Sequence, residues 1–317
     1  MQLHGLHHVT AVTAQAKENL TFYTTVLGLR LVKKSVNQDD VSAYHLFYAD
    51  KIGTPGTDVT FFDWSTAPKR SGETDGILRT MFRVNGEESL VFWQKRLAQE
   101  GITHTGIQLL GERKALLFED LEGQRLALVD DGGVEFYGEI WNGSNVPNEF
   151  AIRGFYAVQL VISTLILIDG ILVQVLGFTK QSTYNSTEIA GEIVTVYAME
   201  DGGPGKEVHV VERKGAKMLA LAGGVHHVAF RVSDEQELKY WWAVLNQVCL
   251  ANSGLVDRYY FKSLYFRISD GILFELATDG PGFASDESPE HLGEKLALPP
   301  LLESQRKHIE ASLKPLN

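Results

Sequence analysis

A rhythm that returns four times limits what this chain can fold into more than any other feature of its sequence. Each unit opens with a short strand after a glycine, passes through an amphipathic helix and continues into further strands. The first starts at Gly5 (GLHHVTAVT), with a helix predicted over 17–27 and strands LRLVKKSV, YHLFYAD and GTDVTFFDW. The second starts at Gly76 (GILRTMFRV), with a helix over 87–100 and strands ending in GQRLALVDD. The third starts at Gly154 (GFYAVQLVI) and continues into LGFTKQST, IVTVYAM and EVHVVE; the fourth starts at Gly224 (GVHHVAFRV), with a helix over 235–246, then YYFKSLYFRI and GILFELATDG. Period-2 alternation and β-branched or aromatic enrichment mark the strands. Apolar spacing such as Leu20, Tyr23, Val26 and Leu27 marks the helices. Leu27-Gly28 and Leu176-Gly177 are fitting helix ends, because glycine adopts the left-handed cap conformation at little cost. Each unit therefore reads as a βαβββ module. In the third, STLILIDGILVQVLGF is unusually apolar and carries Gly170 inside, so its helix departs from the pattern.

The loop NGSNVPN, at 142–148, is a natural midpoint. It divides the 317 residues into an N-terminal pair of modules (1–147), a C-terminal pair (148–284) and a tail (285–317). In the tail LALPPLL precedes a helix predicted over 303–313, and the Pro-Pro step is expected to dock it on the body. A net charge of -11, with no basic run, argues against nucleic acid or an anionic membrane as partner. The one cysteine, Cys249, excludes an intramolecular disulfide and fits a reducing compartment. Within the apolar stretch from Tyr240 to Leu250 it reads as a buried small hydrophobe. The opening MQLHGLHHVT lacks a signal-peptide layout. The most apolar run, Val158 to Ile168, is too short for a bilayer, which needs about 20 residues. A cytoplasmic location is expected; the oligomeric state is open, a homo-oligomer included.

Two His-His pairs occupy equivalent points of the first and fourth modules: His7-His8 and His226-His227. Strand neighbours point to opposite faces, so one histidine of each pair faces inward. A lone strand histidine is usually a hydrogen-bonded core residue; two pairs at matched positions point to a metal. The third ligand comes from comparing modules. Glu275 lies mid-strand in GILFELATDG, where an unpaired buried carboxylate is costly. The corresponding slots in the other modules hold Thr60, Ala127 and His209, and the slots matching His227 hold His8, Arg79 and Ala157. One complete set is written, His8, His227 and Glu275. Two histidines and a carboxylate form the facial triad of non-haem Fe(II) oxygenases. Fe(II) is the expected divalent metal, and Mn, Zn or Ni suit the same donors. Thr60, where a glutamate would close the site, leaves it open.

GLHHVT, GVHHVAF, DRYYFKSLYFR, GILFELATDGPGF and the C-terminal LALPPLLESQRKHIEASL resemble the vicinal-oxygen-chelate superfamily of glyoxalase I, bleomycin-resistance proteins and extradiol dioxygenases, and within it the hydroquinone dioxygenase branch. The resemblance spans nearly the whole chain. It implies an α+β fold in which modules one and four pair into one barrel-like mixed sheet and modules two and three into another. It implies metal ligands from the first and last modules and, around them, His7, Thr10, His226, Arg258 and Tyr265. It implies a ring-cleaving dioxygenase taking O2 and a hydroquinone-type, or catechol-type, aromatic diol. Those positions suit the chemistry: Arg258 can hold a phenolate charge, His226 can take and return a proton, and Tyr265 can hydrogen-bond a bound oxygen species.

Two other functions compete. A glyoxalase-like isomerase or lyase using Zn or Ni would carry a carboxylate ligand in each module, and Thr60 counts against it. A quinone- or drug-binding resistance protein would lack the triad.

Overall fold

The computed structural model describes residues 1–269 and 271–316. Its elements follow the four predicted modules. The first comprises β1 (Leu6–Thr13), α1 (Ala16–Thr21), β2 (Arg30–Asn37), β3 (Asp40–Ala49) and β4 (Asp58–Asp63). The second comprises β5 (Gly76–Val84), α2 (Gly86–Gln99), β6 (Gln108–Leu110), β7 (Arg113–Glu119) and β8 (Arg125–Asp130). The third comprises β9 (Phe155–Ile162), α3 (Leu165–Asp169), β10 (Thr179–Asn185), β11 (Ile193–Ala198) and β12 (Glu207–Glu212). The fourth comprises β13 (Val225–Val232), α4 (Glu235–Gln247), β14 (Asn252–Asp257), β15 (Phe261–Ser269) and β16 (Ile272–Pro281).

The strands form two curled eight-stranded sheets, ordered β14-β15-β16-β13-β1-β4-β3-β2 and β10-β11-β12-β9-β5-β8-β7-β6. Within each module the first and last strands pair in parallel, and modules meet through antiparallel seams, β1 with β13 and β5 with β9. The first module thus joins the fourth, and the second joins the third, as the resemblance implied. Leu90, Trp93 and Leu97 of α2 and Leu238, Trp241 and Leu245 of α4 bury into one core that runs through both halves. Asp234 caps α4 by accepting from the backbone N–H of Gln236 and Glu237.

The irregular helix of the third module has a twin. Both α1 and α3 widen into a π turn, over Phe22–Val26 and Gly170–Val175, closed by Leu27 N–H to Phe22 C=O (2.9 Å) and Leu176 N–H to Ile171 C=O (3.0 Å). Gly28 and Gly177 follow at φ +74° and +75°, the left-handed end expected of each Leu-Gly pair. What sets the third module apart is that Ile166 and Leu167 lie on its exposed side.

Two expectations need correction. Cys249 is not buried: α4 stops at Gln247, and Cys249 turns out to solvent at φ +56°. The tail's α-helix, α5 (Arg306–Ser312), begins later than predicted, preceded by a tight turn over Pro300–Gln305. The tail docks on β2. Leu298, Leu302, Ile309 and Leu313 bury against Val36, and the Ser35 hydroxyl donates to Ala297 C=O at 2.7 Å. Lys33, fully buried, reaches Asp286 at 2.7 Å and also Glu287. No helix among the described residues is long and apolar enough to cross a membrane.

Candidate metal centre

Register brings the triad together. In the first sheet a row of residues crosses four strands: Asp58 (β4), His8 (β1), Ala229 (β13) and Glu275 (β16). The next row holds Thr60, Thr10, His227 and Leu273. Side chains in such rows share a face. Ala229, the small residue between His8 and Glu275, leaves room for both to lean toward His227. His8 Nε2 lies 3.1 Å from Glu275 Oε2, His227 Nε2 lies 3.0 Å from the same oxygen, and the two Nε2 atoms are 3.3 Å apart. All three residues are buried.

This triangle matches a cation site. Two ligands about 2.1 Å from one cation and at right angles to it are about 3.0 Å apart, the edge of an octahedral face. Glu275 Oε1 accepts from the Ser263 hydroxyl, whereas Oε2 is buried without a hydrogen-bond partner among the described residues, despite the two nearby nitrogens. Burial opposes ionisation of Glu275, and the imidazoles hold it well below the usual carboxylate range nonetheless. A cation at the centre of the triangle would satisfy all three atoms at once.

The preceding histidines fix the ligand rings. His7 Nε2 donates to Thr278 C=O at 3.1 Å, so in the neutral ring its Nδ1 is an acceptor. Burial pushes His7 down to about 3, which keeps it neutral. His8 Nδ1, 2.9 Å away, must then carry the hydrogen, and the lone pair of its Nε2 points into the site. His226 meets His227 in the same way, Nδ1 to Nδ1 at 2.7 Å, and burial pushes it too down to about 3.

The triad opens into a cavity of about 320 Å³ whose walls include Phe62, Trp64, Tyr260, Phe261 and Tyr265. Its polar wall is cross-linked. Arg258 Nε donates to the Tyr265 hydroxyl at 3.2 Å, and its NH2 group donates to Asp39 at 3.0 Å. The hairpin tip of β2 and β3 is thereby tied to β15. Burial pushes the Tyr265 phenol up. Burial works against the Arg258 charge, but Tyr265 and Asp39 raise its affinity for the proton. The Tyr265 ring stands edge-on to His227, 5.8 Å between centroids. Of the residues singled out from sequence, His226, Arg258 and Tyr265 line this cavity; His7 lies behind His8; Thr10 is buried outside its wall, with its hydroxyl 3.0 Å from that of Thr60.

The second sheet has no such convergence among the described residues. Arg79 donates to Leu126 C=O at 2.9 Å and pairs with Glu188, while His209 lies between Glu207 and the Tyr184 hydroxyl, 2.9 Å from each. The slots there are filled by groups that satisfy one another.

The family model of the Glyoxalase/Bleomycin resistance protein/Dioxygenase superfamily matches residues 5–128. A Bacillus subtilis (strain 168) protein named as a ring-cleaving dioxygenase, MhqA, is 46% identical over 318 residues, covering 100% of both chains. The chain belongs to this superfamily. A second member, the chlorohydroquinone/hydroquinone 1,2-dioxygenase of Sphingobium indicum, is 29% identical over 97% of this chain and 95% of its own. A crystal structure named as a dioxygenase from Bacillus subtilis subsp. subtilis str. 168 matches with a TM-score of 0.87 at 33% identity, covering 100% of this chain and 98% of that one.

Two polar residues of this superfamily member escaped the sequence reading. His45, in β3, lines the cavity and bonds Thr60 through Nε2 at 2.8 Å. Burial lowers it well below the ordinary imidazole value. Asp58 sits beside His8 with neither carboxyl oxygen hydrogen-bonded among the described residues, and burial raises it to about 8. The available clue to His45 was its parity: it lies two residues before Phe47, on the inward face of its strand.

Proposed function

We propose that this protein is an Fe(II)-dependent, extradiol-type ring-cleaving dioxygenase acting on a hydroquinone-type aromatic diol. His8, His227 and Glu275 hold the cation. The supporting observation is the triangle of two imidazole nitrogens and one buried carboxylate oxygen, with edges of 3.0–3.3 Å, opening into an aromatic cavity. The three positions of an octahedron that such a triad leaves open suit a substrate oxygen and dioxygen. Bound Fe(II) supplies the electron exchange between ring and O2.

The remaining tasks fall to side chains. Phe62, Trp64 and Phe261 flank the ring and exclude water. His226, whose Nδ1 accepts from His227 Nδ1–H, carries its own hydrogen on Nε2 and offers it as a proton donor to an oxygen of the bound diol or of the ring-opened product. Arg258, tied to Tyr265 and to the hairpin tip, balances negative charge on the bound diol. Thr60, committed to His45 and Thr10, adds no ligand. That argues against a glyoxalase-like centre closed by a second carboxylate.

The test is anaerobic loading with Fe(II), followed by oxygen-electrode assay against hydroquinones and catechols, with methylglyoxal–thiol adducts under Zn or Ni as the control. Oxygen uptake with hydroquinones and a ring-opened product carrying both oxygen atoms are expected. Glu275→Gln should lose at least about a hundredfold in uptake and bind iron substoichiometrically, with unchanged circular dichroism. Fully loaded protein that consumes no oxygen with any diol would refute the reading.

A further inference from the structure

The dioxygenase reading assigns one diol oxygen to the cation and leaves the other without a partner. We propose that His45 is a specificity-determining residue whose Nδ1–H donates a hydrogen bond to that second oxygen.

The ring is fixed in place. It lies against Phe47 and Phe62, with centroids 3.9 and 4.5 Å away, and it lines the same cavity as His8 and His227. Its Nε2 is 2.8 Å from the Thr60 hydroxyl, which is 3.0 Å from the hydroxyl of Thr10. Either hydroxyl of that pair can donate, and hydrogen-bond satisfaction selects the direction. Thr10 is fully buried, and among the described residues its hydroxyl has no other partner. A hydroxyl hydrogen buried without an acceptor is costly. Thr10 therefore donates to Thr60, and Thr60 donates to Nε2. The neutral ring must then carry its own hydrogen on Nδ1. Among the described residues Nδ1 meets no acceptor, so a pre-oriented donor is offered to whatever fills the cavity. Of the neighbouring wall groups, Arg258 is engaged with Tyr265 and Asp39, and His226 meets His227 through Nδ1.

The experiment varies the ligand and the protein together. Anaerobic calorimetry on Fe(II)-loaded protein would give the Kd of hydroquinone and of phenol, which lacks the second oxygen. In the parent protein the second oxygen should tighten binding by about three- to tenfold. His45→Gln keeps an amide near the Nε2 position for Thr60 and leaves nothing at Nδ1. It should erase the hydroquinone-to-phenol ratio while leaving the Kd of phenol unchanged. His45→Asn, with an amide nitrogen near the Nδ1 position, should restore part of the ratio. A ratio that survives in His45→Gln overturns the proposal, as does equal weakening of both ligands, which would mark a packing role. If the parent enzyme cleaves hydroquinone while either result is obtained, only the assignment of His45 falls. If the parent neither binds nor cleaves any diol, the dioxygenase reading falls and takes this assignment with it.

Discussion

His7 touches no ligand atom of the triad, yet it decides which nitrogen of His8 is free. Its Nε2 is committed to a backbone carbonyl, and that commitment propagates through two rings to the cation site. Replacing it with phenylalanine removes the acceptor for His8 Nδ1–H and one donor from the carbonyl of Thr278. His7→Phe should weaken metal binding about 10- to 100-fold in a chelator-competition titration, although every ligand remains. At this scale the triad was legible because it is written against a background of repeats. Two His-His pairs at matched points and one glutamate in a slot held elsewhere by Thr60, Ala127 and His209 stand out by comparison. His45 and Asp58 have no such background. Each is a single polar residue in a strand, and only the register that sets Asp58 beside His8 and Thr60 beside Thr10 discloses what they face.

Among the elements, the strands were the most readable, because alternation reports the buried face directly. The helices of the first and third modules were less so. Their backbones widen into π turns, a change that depends on closing bonds such as Leu27 to Phe22 rather than on apolar spacing. Cys249 was misread because its apolar neighbours suggested burial, whereas the chain turns it out to solvent at φ +56° just past the end of α4. The junction of β7 and β8 with α1 carries a pH dependence of its own. Asp120 accepts from the backbone N–H of Glu122 (2.9 Å) and Gln124 (2.8 Å) and from the Tyr23 hydroxyl (3.2 Å). Burial nevertheless raises its carboxyl to about 6. The unfolded chain releases that proton near pH 3.9. Between those values the folded state holds more protons, so stability falls as pH rises from about 4 to 6 and stays lower above. The loss through this one group is at most about 3 kcal/mol. Asp120→Asn keeps an acceptor for both backbone donors and cannot ionise. Urea unfolding at pH 5 and pH 7 should show the parent losing more stability over that interval than the variant.

Across the whole molecule, the ligands come from opposite ends of the sequence, so cation binding and global folding are linked. A cation that binds only the folded chain, at a free concentration 100 times its dissociation constant, stabilises it by about 2.7 kcal/mol. A strong chelator should therefore lower the thermal midpoint of the parent protein and leave that of Glu275→Gln nearly unmoved, as differential scanning calorimetry would register. The seam between β1 and β13 also has a consequence in time. On the ribosome His8 emerges long before Glu275, and it must wait for the second, third and fourth modules to be made before that carboxylate arrives. No growing intermediate can assemble the three donors, so an unfinished or prematurely terminated polypeptide lacks the candidate cation site, which is complete only once synthesis has run past β16.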